Sequence, residues 1–425
     1  MHIKKLKVSN FRSIDLAEIS FSPLSLVVGA NASGKSNLIN VFRFIRDIIS
    51  DGIDNAIALQ GGTTYLSNVR APKGTPIEIQ FVLDLSEEMI SHILGRKYFA
   101  KVDEICYFFS IQPNKKGNGY AIAEDHLSVI STIYSINSSQ KGEDRFISTD
   151  VRYTADFHKK NVNSSYQFNA HVDENASQEI QESYKEDYTF SYFLQFAKPT
   201  KKDLLLSNID MLFPRIFSNN KFIRIFDFDP TELKKASSIA SMKSLSENGS
   251  NLASVLHEIL RKKETKEKLT TLLKQYLPYV NGLSVESNID KSYSYTINEK
   301  YSKRNFHASF LSDGTVSIVA LIIALYFESG SGVIILEEPE RNIHPKLLSL
   351  LLDSAEDVSK KKQVIITTHN PEFLKHARPE NVRLLSRNDE GNTVITEPAN
   401  SLMVKTFMEN DLGLDDLFLQ NLLGE

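Results

Sequence analysis

Residues 29–36 read GANASGKS, a G-x-x-x-x-G-K-[ST] spacing that follows the apolar run LSLVV. Glycines in such a loop let the backbone curl until successive amide hydrogens converge on phosphate oxygens. A lysine then adds a point charge toward the outer phosphates, and a serine hydroxyl can ligate magnesium. The candidate phosphate-binding set is Gly29, Asn31, Ala32, Ser33, Gly34, Lys35, Ser36 and Asn37, with Ser36 also a candidate metal ligand. From Ser36 onward, Leu38, Val41, Phe42, Ile45, Ile48 and Ile49 recur at helical spacing, so the loop should sit between a strand and the positive end of a helix.

Three further stretches carry chemistry. In VIILEEPE an apolar run ends in Glu337 and Glu338. Beside a phosphate loop, one such carboxylate can serve the metal and the next can polarise attacking water; standing alone, acids after a buried strand mark a solvated turn. In FLSDGTVSIVALIIAL, Ser312, Asp313 and Gly314 open a helix. There Ser312 suits an ordinary cap, or exposed amides and hydroxyl that face a second copy's nucleotide phosphate. In VIITTHNPEFL, His369 follows an apolar strand, and strand ends line the ligand crevice of open α/β sheets, which suits a phosphate sensor.

These residues need a scaffold. HIKKLKVS and LSLVV read as strands, and IEIQFVLDL, ICYFFSIQP, GYAIA, HLSVIS and SYQFNAHV read as an antiparallel meander. From about residue 180 to 280 the pattern is mostly helical, with KFIRIFDFDP one further strand. SYSYTINEKY alternates like a strand. LSDGTVSIVALIIALYF, GVIILEEPE, HPKLLSLLLDSAEDV and QVIITTHNPEFL then alternate helix, strand, helix, strand. VIIL and VIIT are short and almost wholly apolar, as buried parallel strands are. No internal repeat or linker-like tract is visible.

The chain has 425 residues, 41% of them hydrophobic and 24% charged, which suits one large or two ordinary cores. A net charge of -4 excludes a globally basic nucleic-acid binder, and the basic runs LRKKETKEK and Lys360 to Lys362 read as solvated faces. The lone Cys106 forms no internal disulfide, and the longest apolar run, IVALIIALYF, is too short to span a bilayer. The expectation is a cytoplasmic protein without membrane contact.

The order GANASGKS, LSDGT, VIILEEPE, TTH resembles ABC-type ATPases, and LKVSNFRSI with the wide gap after the loop looks like their SMC and RecF branch. FDFDP, NGSNLASVL, EEPERNIHP, THNPEFL and LGLDDLFLQNLLGE resemble stand-alone AAA-type ATPases related to the overcoming-lysogenisation-defect (OLD) nucleases. The resemblance implies an α/β fold: a P-loop ATPase head with an antiparallel β subdomain and a helical lobe. Residues 1–95 and 285–425 would form the core, 96–180 a β-rich insertion and 181–284 the helical lobe.

It further implies a homodimer closing around two ATP molecules with Mg2+. The phosphate loop of one head and Ser312 and Gly314 of the other would complete each site. Glu338 would position water, Glu337 serve the metal, His369 sense the γ-phosphate, and Asn342 to His344 link the sites; Asn10, Phe11 and Arg12 would lie near the nucleotide. Ala32 stands where many members have glycine, Glu337 where most ABC proteins have aspartate, and Asp313 where transporters have glycine. Gln60 and Gln195 are both weak candidates for a glutamine loop, and neither is assigned.

The functional expectation is an ATP-hydrolysing switch in DNA repair or anti-phage defence, with a separate effector, a Toprim-like nuclease being one candidate, and DNA as a further candidate partner. A transporter subunit is disfavoured by the NFRS element and the long insertion. A nuclease in the same chain is disfavoured because about 55 residues follow His369, too few for a Toprim domain. The acids of DFDPTEL, Asp227 and Asp229, read as a helix start before Pro230.

Overall fold

A computed structural model describes the chain except residues 89, 95–96, 117–118, 138–145, 161–164, 184–192, 194–201, 218–221, 241–243, 329, 331, 410–412 and 421–425. Gln195 and parts of LGLDDLFLQNLLGE lie outside the described residues. The chain weaves through two compact units: Met1–Phe21, Asn37–Phe222 and Arg387–Ile395 form one, and Ser22–Ser36, Ile223–Ser386 and Thr396–Glu425 form the other.

The second unit is built on a parallel sheet in the order Ile223–Phe226, Val333–Glu337, Gln363–Thr368, Leu24–Val28 and Val382–Arg387. Leu24–Val28, Val333–Glu337 and Gln363–Thr368 are buried along their whole length, which explains their largely apolar character. The helix Asp313–Tyr326 is buried at every position from Thr315 to Leu325, so it too is apolar all round rather than amphipathic. A smaller antiparallel sheet pairs Val280–Ser287 with Ser292–Glu299, and Asn305–His307 and Ser237–Ser238 add to the latter strand. The helices Leu252–Arg261 and Lys263–Tyr276 bury Leu256, Ile259, Leu269 and Leu273 in the same core.

The first unit holds an antiparallel sheet in the order Ile14–Ser20, His2–Phe11, Ile77–Asp84, Tyr98–Pro113, Tyr120–Ile136, Phe146–Lys159 and Gln167–Val172, with Ser91–Leu94 paired to Tyr98–Pro113. Strict alternation buries Ile77, Ile79, Phe81 and Leu83 on one face, as the period-2 pattern requires. The helix Lys35–Leu59 buries the expected Leu38, Val41, Phe42, Ile45 and Ile48, and Phe44 lies 6.1 Å from Phe11 and 6.4 Å from Phe109 between ring centroids. Gly52, at φ 80°, interrupts that helix.

The meander expected from the sequence is present, but its strands are longer. GYAIA and HLSVIS are parts of one strand, Tyr120–Ile136, and Phe146–Lys159, which had no counterpart in the expectation, pairs with it. The stretch read as mostly helical, about 180 to 280, is followed by the strand Val280–Ser287, which had no counterpart in the expectation and whose Asn281-Gly282 pair masks its alternation. Among the described residues, no helix is long and apolar enough to cross a membrane.

One buried polar cluster fastens the sheet to the segment after it. Asp125, wholly buried, accepts hydrogen bonds from the hydroxyls of Tyr107 at 2.5 Å and Tyr166 at 2.6 Å and from the Leu205 amide at 2.8 Å. Burial raises its pKa, and the three donors with the buried Lys159 oppose that rise. Asp125→Ala strands the two hydroxyls, the amide and the cation, and should destabilise the protein by about 3–5 kcal/mol, read from the midpoint of urea unfolding.

Candidate functional site

The register of the parallel sheet sets Glu337 opposite Thr367, and Thr367 opposite Val27. The residues that leave these strands at their carboxyl ends are therefore Glu338, His369 and Gly29. Two backbone bonds stitch the exits together: the Gly29 amide donates to the Thr368 carbonyl at 3.3 Å, and the Glu338 amide to the Thr367 carbonyl at 2.9 Å.

Gly29 tolerates no side chain. An added Cβ would stand 2.3 Å from the Leu385 carbonyl oxygen and 2.6 Å from Ser33 Oγ. Gly34 has φ 112°, and Ala32, though not glycine, has φ 65°; these turns curl the loop. Asn31 and Ala32 are exposed at its tip, while Ser33, Gly34 and Lys35 are buried. Lys35 Nζ donates to the carbonyls of Gly29 at 2.7 Å and Ala30 at 3.0 Å and lies 3.9 Å from Glu338 Oε1. Burial lowers its pKa, while Glu338, Glu340 and Glu337 pull the other way.

Ser36 Oγ donates to Glu337 Oε1 at 3.0 Å. Two oxygens on neighbouring vertices of an octahedron with bonds of about 2.0–2.1 Å lie about 3 Å apart, so this hydroxyl and carboxylate suit a magnesium ion. Ser33 Oγ is buried without a hydrogen-bond partner, an acceptor and donor left over inside the loop that a phosphate oxygen would satisfy. The residues present thus fit a nucleotide phosphate with its metal.

Glu338 sits at φ 43°, a costly conformation for a side chain with a Cβ. Its Oε1 is 3.2 Å from His369 Nδ1, and its Oε2 accepts from Arg341 Nε at 3.1 Å. Burial raises its pKa, but the bonds from Arg341 and His369 outweigh this and hold it below the ordinary carboxylate value. Glu340 was not singled out in the sequence. It is buried, accepts from Thr368 Oγ1, and has its carboxyl pushed up by burial; Thr368 Oγ1 in turn accepts from the Asn370 amide at 2.9 Å. This chain fixes the turn that carries His369. Its sequence signal was a third acid within four residues, which looks like a solvated turn.

Ser312 caps its helix, accepting from the Thr315 amide at 3.2 Å, as the bland reading held. Ser312 and Asp313 are nevertheless exposed, and Asp313 pairs with Lys234 at 2.6 Å. Gly314 is required by the backbone, because a Cβ there would lie 2.5 Å from the Asn342 carbonyl oxygen. Of the two acids in DFDPTEL, Asp229 caps the helix Pro230–Leu233 through the Thr231 amide at 2.8 Å, and Asp227 instead meets Arg341 at 2.9 Å.

Arg12 and Asn37 belong to the first unit. Asn10 and Arg12 both have positive φ, 57° and 50°, around the buried Phe11. Arg12 Nη2 donates to Gln60 Oε1 at 2.6 Å, and Asn37 Nδ2 donates to Ser13 Oγ at 2.6 Å. Gln60 is thereby committed to Arg12 within its own unit.

The phosphate loop, the paired glutamates and the histidine at neighbouring ends of one parallel sheet, with a separate capped helix bearing LSDGT, define an ABC-type ATPase head of the SMC-like class. The chain belongs to the family described as "AAA domain, putative AbiEii toxin, Type IV TA system", whose profile matches residues 24–375. Its fold is similar to an SMC head solved bound to the C-winged helix domain of ScpA, at 14% identity, covering 96% of this chain and 100% of that one, with a TM-score of 0.52. SMC heads from Thermotoga maritima (14% identity, 93% and 99% covered, TM-score 0.43) and Pyrococcus furiosus (13%, 97% and 100%, 0.46) also match. No curated protein matches. Fold and family are those of ATP-binding and ATP-hydrolysing domains.

Gly29→Ala drives a Cβ into a backbone carbonyl and should weaken binding of a fluorescent ATP analogue at least about 100-fold, comparable to Lys35→Ala, as measured by titration. Gly314→Ala, which meets the Asn342 carbonyl instead, should leave that affinity within about threefold of wild type while lowering the unfolding midpoint.

Proposed function

We propose that this chain is an ATP-driven switch. Two copies close around two ATP molecules, and hydrolysis at the paired sites resets them. The observation that carries this reading is the convergence of Lys35, Ser36, Glu337, Glu338 and His369 on one sheet edge, together with an exposed Ser312 at a helix start.

Within the proposed mechanism, the amides of residues 29–36 and Lys35 hold the phosphates, and Ser36 and Glu337 hold Mg2+. A magnesium ion there would neutralise phosphate charge and keep the outer oxygens in place. Glu338 orients the attacking water and takes up its proton, while His369, exposed beside Glu338, reaches for the γ-phosphate. Ser312 and Gly314 of a second copy supply a hydroxyl and helix-end amides to the same phosphate. Arg12 and Asn37 remain further candidates for nucleotide contact.

A separate effector protein receives the switch. The SMC head of like fold that is bound to a ScpA domain supports a partner protein, and the toxin–antitoxin wording of the family supports anti-phage defence over housekeeping repair. A Toprim-like nuclease is the effector class we favour. DNA is a further candidate ligand, and the cytoplasm the expected compartment.

Glu338→Gln should bind ATP with wild-type affinity yet lower turnover at least about 100-fold, and accumulate as an ATP-dependent dimer in light scattering. A variant that hydrolyses normally would reverse the roles of the two glutamates. Ser312→Asp keeps a capping oxygen but sets a negative charge against phosphate. It should abolish that dimer while each chain still binds ATP, because the loop is untouched.

A further inference from the structure

Arg341 has no place in the reading above, yet it is tied to the residue on which hydrolysis depends. Its Nε donates to Glu338 Oε2 at 3.1 Å and its Nη1 to Asp227 Oδ1 at 2.9 Å. The opposite oxygen, Oε1, faces His369 Nδ1 at 3.2 Å and Lys35 Nζ at 3.9 Å. Glu338 is thus held from both ends. A carboxylate pinned in this way can turn toward a water only when one holder lets go, because proton transfer needs an oxygen within about 2.6–3.2 Å of that water.

The sheet explains why Asp227 is available for this. The strand Ile223–Phe226 pairs in parallel with Val333–Glu337, Phe226 opposite Leu336, so Asp227 leaves its strand beside Glu337. Arg341, three residues past Glu338, turns back and spans the two strand ends. The neighbouring residue, Asn342, stands at φ 65°, and its carbonyl oxygen occupies the space a Cβ on Gly314 would need. That glycine lies in the first turn of the helix whose exposed start is Ser312 and Asp313. One backbone contact therefore joins the surface that would meet a second copy to the residue next to Arg341.

We infer that Arg341 is a positioning residue that restrains Glu338 in the resting chain, that Asp227 holds Arg341 in this pose, and that docking of a second copy's nucleotide on the Ser312 helix releases it through Asn342. This rests on the ATPase reading and adds a restraint to it: in the separate chain Arg341 and Asp227 hold Glu338 back and turnover is slow, and closure of the dimer lifts that restraint. The link is built for release. Arg341 and Asp227 have side chains 46% and 38% exposed, so their bond is weak enough to exchange.

The experiment compares ATP turnover of wild type, Arg341→Ala, Arg341→Lys, Asp227→Asn and the double variant Arg341→Ala/Asp227→Asn. All are measured at protein concentrations too low for dimers. Arg341→Ala and Asp227→Asn should each raise kcat about three- to tenfold with KM for ATP within about twofold of wild type, since the link runs from Asp227 through Arg341 to Glu338 and bears on the water-activating carboxylate. Arg341→Lys should fall between, and the double variant should gain no more than Arg341→Ala alone, because both residues act through one link.

An unchanged or lowered kcat in Arg341→Ala overturns the inference, as does an Asp227→Asn effect that adds to it. So does absence of turnover in both wild type and Arg341→Ala. The ATPase reading is judged separately, by ATP binding and by its loss in Lys35→Ala. Thermal unfolding of each variant within a few degrees of wild type excludes a general loss of structure.

Discussion

The site exists because three strands end in register. Glu337, Thr367 and Val27 lie side by side in a parallel sheet, and Glu338, His369 and Gly29 follow within two residues of that row. In such a sheet a slip of one residue would turn each side chain to the opposite face and carry Glu337 away from Ser36. The polar residues at the strand ends oppose that slip, because it would draw Glu338 or His369 into the buried sheet. The hydroxyl and carboxylate 3.0 Å apart are thus a consequence of hydrophobic burial, which supplies the precision that flexible side chains alone would not.

Around that register the molecule concentrates cost. Left-handed backbone falls on seven residues that carry a Cβ among those described, and three of them, Ala32, Glu338 and Asn342, lie in the loops that follow Leu24–Val28 and Val333–Glu337. Each such position costs about 1–3 kcal/mol and persists only where surrounding bonds over-determine it. Glu338 shows how: its amide is tied to the Thr367 carbonyl, and its carboxylate to Arg341 and His369. Charge is similarly concentrated, with Glu337, Glu338 and Glu340 set against Lys35, Arg341 and His369. Burial lowers the pKa of Lys35 and the acids oppose that fall, while the bonds from Arg341 and His369 hold Glu338 below the ordinary carboxylate value.

Some of this was legible in the residues. The strand–loop–helix around GANASGKS, the apolar helix after LSDGT and the strands before EEPE and THN are found as expected, because each has a strong local period or a run too apolar for solvent. Phe146–Lys159 escaped notice because its first half, FISTDV, is exposed and does not alternate cleanly. Val280–Ser287 escaped because Asn281-Gly282 reads as a turn. Among side chains, Glu340 and Arg341 carry no distinctive local signal, and Gln60 stands only as an unassigned glutamine-loop candidate. A third acid after a strand, an arginine in a loop and a glutamine at a helix end are ordinary in isolation, and their bonds are to residues 28, 114 and 48 positions away.

By itself the sequence determined the residue types and the local elements: a loop whose glycines, lysine and serine suit phosphate, and strands that end in acids and a histidine. Those properties are written in neighbours, through backbone sterics and hydrophobic period. Only the tertiary structure decided which carboxylate meets Ser36, which is pinned by Arg341 and which is buried under Thr368, because strand order and register are settled by packing between segments some 300 residues apart. Pairing across such separations leaves no trace in any short stretch of the chain, since it depends on the whole core closing at once.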